Sequence, residues 1–178
     1  MDAIDFLTEQ HRETESLFED FLQTDDSSRR REIVDEIIED LQLHTALEEE
    51  IFYPALGDAI PELKPELLED FEEHHAVQLL LKELADMGPD HERFAAKVSV
   101  VKEHMQHHVE DEESELFPRV RDELDQDRLN ELGRQLQQRA QRESHSQEEL
   151  RERARELDIE GRSKMSKEEL VEEIEERE

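Results

Sequence analysis

A chain of 178 residues with 53 acidic and 22 basic side chains, and a formal net charge of −31, is poorly suited as a whole to phosphate backbones or anionic membrane surfaces. The absence of cysteine excludes disulfides, thiolate nucleophiles, iron–sulfur clusters and zinc–thiolate sites. With 34% hydrophobic and 4% aromatic residues, four glycines and five prolines, the core is thin and the turns few, which fits long packed helices and not a thick sheet sandwich.

Four amphipathic helices follow from the spacing of apolar residues. In the first, Ile4, Leu7, His11, Thr14, Phe18 and Phe21 recur at steps of three and four, and Thr24-Asp25-Asp26-Ser27-Ser28 breaks the pattern and offers N-caps. The second stripe is Ile33, Ile37, Leu41, His44, Glu48 and Ile51, ending near Pro54 and Gly57, with Pro61 and Pro65 marking a connector. The third is Leu67, Phe71, His74, Val77, Leu81 and Leu84, stopped by Gly88-Pro89. The fourth is Phe94, Val98, Val101, Met105, His108, Glu112 and Leu116, ending at Pro118. Short turns within each pair make its helices antiparallel. Residues 121–146 read as a solvated helix or linker with a weak leucine pattern, and residues 147–178 as a separate helix, extended loop and helix.

The chain repeats itself. His44-Thr45-Ala46-Leu47-Glu48-Glu49 aligns with His108-Val109-Glu110-Asp111-Glu112-Glu113, each followed by apolar pairs (Phe52, Tyr53; Leu116, Phe117) and then proline (Pro54; Pro118). His11 aligns with His74. The expected boundaries are 1–120, 121–146 and 147–178.

Six residues on these inward stripes are polar: His11, His44, Glu48, His74, His108 and Glu112. Buried imidazoles and carboxylates are costly unless paired or bound to a metal. Histidine and glutamate at i and i+4 lie one turn apart on one helix face. At about 1.5 Å per residue, all six fall at similar heights. Four imidazoles and two carboxylates suit iron, manganese or zinc, and six ligands exceed the need of one tetrahedral zinc, which favours a dinuclear site. Beside them, His75 competes with His74 for one place, and His104 and Tyr53 are candidates for tuning the site or as alternative ligands. Glu49 and Glu113 are expected behind the ligands or at the surface.

The segments His44-x-x-x-Glu48-Glu49-x-x-Phe52-Tyr53-Pro54 and His108-x-x-x-Glu112-Glu113-x-x-Leu116-Phe117-Pro118, with lone His11 and His74, resemble the paired signature of the hemerythrin-like HHE family. The resemblance covers residues 1–120. It implies an all-α fold, an up-down four-helix bundle, here with a C-terminal helical extension and a small helix–loop–helix motif. It also implies two iron ions with an oxo or hydroxo bridge, one bridging glutamate coming from each of the second and fourth helices; manganese or zinc is less favoured. Respiratory members carry a further histidine one turn after the third-helix ligand; here that position is Gln78, which sets reversible oxygen carriage in doubt.

The expected role is sensing of oxygen, nitric oxide or redox stress. The alternatives are an oxidoreductase acting on peroxide or nitric oxide, and an iron storage or trafficking protein. Residues 147–178 resemble the small SAP-like motif at the N-terminus of the Rho transcription terminator. Arg162, Lys164 and Lys167 form a local basic patch there, but its acidic surroundings favour a protein partner over nucleic acid. The acidic N-terminus lacks a signal-peptide pattern and no apolar run reaches membrane-spanning length, so a cytoplasmic protein without membrane contact is expected.

Overall fold

The first apolar stripe forms helix α1 (Ala3–Gln23), started by Asp2, whose carboxylate accepts from the Asp5 backbone N–H at 3.0 Å. A short turn at 24–26 reverses the chain into α2 (Ser27–Leu47), where Asp26 accepts from the Arg29 N–H at 2.8 Å. These details come from a computed structural model that describes residues 1–159, 161, 165 and 167–177; of residues 145, 147, 167–169, 172 and 175 it describes the backbone only.

After α2 the helix does not end at Pro54. A single π turn, Glu48–Phe52, leads into α3 (Tyr53–Ala59), and the same device recurs after α5 (Phe94–Asp111), where Glu112–Leu116 leads into α6 (Phe117–Glu123). In each turn the N–H of the next residue, Tyr53 or Phe117, bonds back to the carbonyl of Glu48 or Glu112. Proline explains the widening. Pro54 and Pro118 have no N–H to give the carbonyls of Glu50 and Ser114, and they sit in the first turn of α3 and α6, where that donor is not needed. Between the two halves runs a short 3-10 turn, Pro61–Leu63, and then α4 (Lys64–Ala85).

Helices α1, α2, α4 and α5 form an up-down bundle, α1 along α2, α4 along α5 and α2 beside α4. Toward the α1–α2 and α4–α5 turns the interior is apolar: Phe18, Phe21, Ile33, Ile37, Leu41, Val77, Leu81, Leu84, Phe94, Val98 and Val101 form one buried cluster. Each such side chain contributes about 1.5–3 kcal/mol by leaving water. Toward the opposite end Leu7, Phe52, Leu56, Leu63, Leu116 and Val120 are buried. The polar layer lies between them.

Helix α7 (Gln126–Glu156) shows that the weak leucine pattern is a packing face: Leu129, Leu132 and Leu136, at steps of three and four, are buried. Gly133 on that face has no room for a side chain, since a Cβ would lie 2.7–2.9 Å from backbone atoms of Met1, Asp2 and Ala3. The chain divides into two compact units, Met1–Gln137 and Gln138–Glu178. In the second, the rest of α7 and α8 (Lys167–Arg177) enclose Ala154, Ile159, Leu170 and Ile174. Asp158 and Gly161 take positive φ values of 55° and 79° between the two helices. Of the proposed basic patch, Arg162 and Lys164 lie outside the described residues, as does the side chain of Lys167. No strand occurs among the described residues, and no helix among them is long and apolar enough to cross a membrane.

Candidate metal centre

All six polar residues of the inward stripes are buried, none more than 5% exposed. His11 comes from α1, His44 from α2, His74 from α4 and His108 from α5, while Glu48 and Glu112 open the two π turns. Their side chains meet in two adjoining groups. His11, His44, Glu48 and Glu112 converge in one; His74 and His108 converge with Glu48 in the other. Glu48 therefore faces both groups. Glu112 does so too, with Oε2 at 3.3 Å from His11 Nε2 and 3.7 Å from His108 Nε2. Within each group the two imidazoles stand edge to face, with centroids 4.8 Å apart for His11 and His44 and 4.6 Å for His74 and His108.

The outer nitrogen of every ring has its own partner. His11 Nδ1 donates to Glu113 (2.9 Å), His74 Nδ1 to Glu49 (3.0 Å), His108 Nδ1 to Glu73 (3.1 Å) and His44 Nδ1 to the side-chain carbonyl of Gln10 (3.3 Å). These partners present acceptors, so each ring carries its proton outward and turns the lone pair of Nε2 inward. The consequence is a crowd of acceptors. His44 Nε2 is 3.2 Å from Glu48 Oε2 and His11 Nε2 is 3.3 Å from Glu112 Oε2, while His74 Nε2 and His108 Nε2, 3.0 Å apart, can share a proton until a cation replaces it. His11 Nε2, His44 Nε2, both oxygens of Glu48 and Oε2 of Glu112 are buried without a hydrogen-bond donor. Such an arrangement is repulsive on its own and becomes favourable around cations. Metal bonds of about 2.1 Å meeting at a right angle separate two donor atoms by about 3 Å. The residues present thus fit metal ions.

Protonation equilibria agree at His44 and His74, whereas at His108 burial is outweighed by Glu112 and Glu73, which hold it above the ordinary imidazole range. Burial, helped by His11, holds His44 well below the ordinary imidazole range, and burial with His108 brings His74 to about 3, so both keep a free lone pair. Burial and the neighbouring Glu112 push Glu48 well above the usual carboxylate range. Glu112 is instead lowered to about 2, its burial outweighed by His108, His11 and His44, and a bound dication would favour the ionised form of Glu48 as well.

Tyr53 is the residue that helical spacing underrates. Five α-helical steps past Glu48 would leave it about 140° away from the ligand face. The π turn stacks it over Glu48 instead, because its N–H bonds to the Glu48 carbonyl. Its buried hydroxyl donates to Glu112 Oε1 at 2.9 Å and lies 3.5 Å from His108 Nε2. Gln78 does not substitute for a histidine, since its amide donates to Thr45 Oγ1 at 2.8 Å. His75 and His104 are exposed and stand apart from both groups, leaving His74 in the interior. Glu73 and Gln10, missed by the stripe pattern, are the residues just before His74 and His11; position next to a histidine is the signal that could have found them. Asp70 lies near His108 Nδ1, at 4.0 Å, and is raised to about 7 by burial against the pull of His108.

A cleft of about 480 Å³ between α1 and α5 reaches the interior at His11 and His44; Phe18, Leu41 and Met105 line its apolar side. His74 and His108 do not line it.

The model described as Hemerythrin HHE cation binding domain matches residues 2–120, and that described as Rho termination factor, N-terminal domain, matches residues 143–178. A DNA nickase from Nostoc sp. (strain PCC 7120 / SAG 25.82 / UTEX 2576) is 27% identical over 124 residues, covering 70% of this chain and 35% of that protein. The chain so matched spans about a third of that relative's length. A crystal structure of a hemerythrin HHE cation binding domain-containing protein from Mycobacterium kansasii superposes with a TM-score of 0.72 at 22% identity, over 97% of this chain and 98% of that one, and shares its fold.

Proposed function

Because the chain belongs to the hemerythrin HHE cation-binding domain family, we propose that its metal cofactor is a pair of iron ions, used to sense or answer oxygen, nitric oxide or redox stress. The observation that carries this reading is the donor-less Nε2 atoms of His11 and His44 and carboxylate oxygens of Glu48 and Glu112, within two buried groups that share Glu48. One ion would be held by His11 and His44, the other by His74 and His108, with Glu48 and Glu112 spanning both. All-nitrogen and oxygen donors without thiolate suit iron better than a structural zinc, which prefers a closed set of four ligands. When bound, such a pair supplies electrons to, and open positions for, a small ligand.

The protein's own groups shape what that pair can do. The cleft between α1 and α5 gives a small ligand a path to the His11–His44 position; His74 and His108 do not line it. The Tyr53 hydroxyl, at 2.9 Å from Glu112 and 3.5 Å from His108, would be a further or tuning ligand beside His74 and His108, while the Gln78 amide is engaged by Thr45. The buried apolar cluster lies beside the site, and its Phe18, Leu41 and Met105 also line the cleft. DNA nicking, the activity named for the Nostoc relative, is not carried over: a net charge of −31 repels a phosphate backbone.

Anaerobic purification, iron analysis and spectra with oxygen and with nitric oxide test the reading. Two irons per chain and an optical response to either gas are expected. A reconstituted sample that takes up no iron, or binds it without responding to either gas, overturns it. Rapid catalytic consumption of peroxide or nitric oxide would move the assignment to an oxidoreductase, and ready iron loss to mild chelators would move it to storage.

A further inference from the structure

Three of the four buried histidines lean on a carboxylate and one leans on an amide. Glu113 backs His11, Glu49 backs His74 and Glu73 backs His108, at 2.9–3.1 Å; Gln10 backs His44 at 3.3 Å. The exception is not random in the fold. Glu49 and Glu113 follow the two ligand glutamates and reach across, each to the histidine of the other helix pair. Glu73 and Gln10 precede His74 and His11, and each reaches the second histidine of its own group. The repeat is thus kept at one pair of positions and broken at the other, Gln10 against Glu73.

The chemistry of that difference is definite. A carboxylate behind an imidazole strengthens its outer hydrogen bond, makes Nε2 a better electron donor and adds a negative charge near the metal. An amide carbonyl fixes the same tautomer and ring orientation but supplies none of the charge. The His74–His108 position then has two carboxylate-backed imidazoles, and the His11–His44 position only one.

From this asymmetry, and resting on the dinuclear reading above, we infer that Gln10 is a positioning residue that makes the His11–His44 position the weaker and more exchangeable of the two metal sites. It acts through His44 and touches neither metal nor ligand. The exchangeable position is also the one that the α1–α5 cleft reaches.

The experiment is a titration of metal-free full-length protein with Co(II) against a competing chelator, read by visible absorption and by metal per chain. Wild type is expected to fill in two steps. Gln10→Glu tightens the weaker step by about 10–100-fold and brings the two together, whereas Gln10→Ala, which removes the acceptor, weakens that step further. Glu73→Gln narrows the gap from the other side by weakening the stronger step. Opposite signs for Glu and Ala at one position separate this role from a merely structural one, which would lower both. Two ions entering wild type in a single step, or a second step that moves the same way in both variants, overturns the assignment to Gln10. Fewer than two ions per chain in every variant overturns the dinuclear reading itself, and the inference with it. Circular dichroism of each metal-free variant checks that the helices are intact.

Discussion

In the first helix pair the wide turn that begins at Glu48 is followed by Tyr53; in the second, the matching turn that begins at Glu112 is followed by Phe117. Each ring lies over a histidine of the opposite pair: Tyr53 on His74 with centroids 5.7 Å apart, Phe117 on His11 at 5.9 Å and nearly parallel. Proline follows both, and the ligand His and Glu keep the same spacing. The scaffold is duplicated closely enough that every departure stands out: a phenol against a phenyl ring, Gln10 against Glu73, and Asp40 against His104 one turn before each ligand histidine. The two halves share one scaffold, and single substitutions at matched positions set them apart.

What the halves share is broken most severely by removing a group that serves both. Glu48→Ala should lower metal from two ions per chain to fewer than one after desalting, an affinity loss of 100-fold or more, on the order of 3 kcal/mol. His108→Ala belongs to one group and should leave about one ion. The exposed His104→Ala should leave both. Elemental analysis of the three, side by side, decides whether the two groups are one site; equal losses in all three would mean they are not.

The next largest effect concerns the end of α1, which is closed by α7. Gly133→Ala drives a methyl group into the backbone of Met1–Ala3 and should cost about 1–3 kcal/mol by urea denaturation. Gly88, in the turn between α4 and α5, has nothing within 4 Å of an added Cβ, so Gly88→Ala should change stability by less than about 0.5 kcal/mol. Equal responses would show that α7 does not pack as described.

Tyr53→Phe makes the first wide turn match the second. It leaves the ring over His74 and removes only the hydroxyl on Glu112. Metal affinity at the His74–His108 position should fall about 10-fold, and any visible band that arises from a phenolate on ferric iron should vanish. Retention of that band would remove Tyr53 from the ligand set.

Tyr53 also marks where reading from sequence stops. The four bundle helices, their polar layer and all six inward residues follow from period, because burying a charged side chain in a seam of leucines and phenylalanines has few explanations. His74 and His75 are separated by the stripe alone. The π turns are invisible to a fixed period of 3.6: proline at 54 and 118 reads as a helix end, although it starts the next helix, and the rotation that brings Tyr53 inward is lost with it. Leu129, Leu132 and Leu136 look weak because the residues around them are polar, yet a sparse stripe suffices for a helix that packs by one narrow face. Gln10 and Glu73 escape because they lie beside the stripes, and only the outward nitrogen of a neighbouring histidine gives them a role.

The smallest effect tests the third mismatch. Asp40 is half-buried on α2, and burial, reinforced by Glu13 on α1 and by Glu39 and Glu36, raises its carboxyl from 3.8 to about 6. For an acid held above its unfolded value, folding is unhindered while the group is protonated in both states. The penalty grows as pH rises from about 4 to about 6 and is complete above that. Asp40→Asn should therefore match wild type near pH 4 and exceed it at pH 7–8. The gain should be on the order of 1 kcal/mol, reduced from the full shift because the site is partly open to solvent. Raising salt should shrink that gain, since the repulsion from Glu13 is screened while the burial cost is not. The matched change in the second pair, His104→Asp, places a carboxylate in solvent and should cost no more than a few tenths of a kcal/mol at any pH. Urea melts of both variants between pH 4 and 8 separate the cases. A gain for Asp40→Asn that does not vary with pH would mean that the carboxyl is not strained by its neighbours, and that this pair of positions differs in sequence but not in energy.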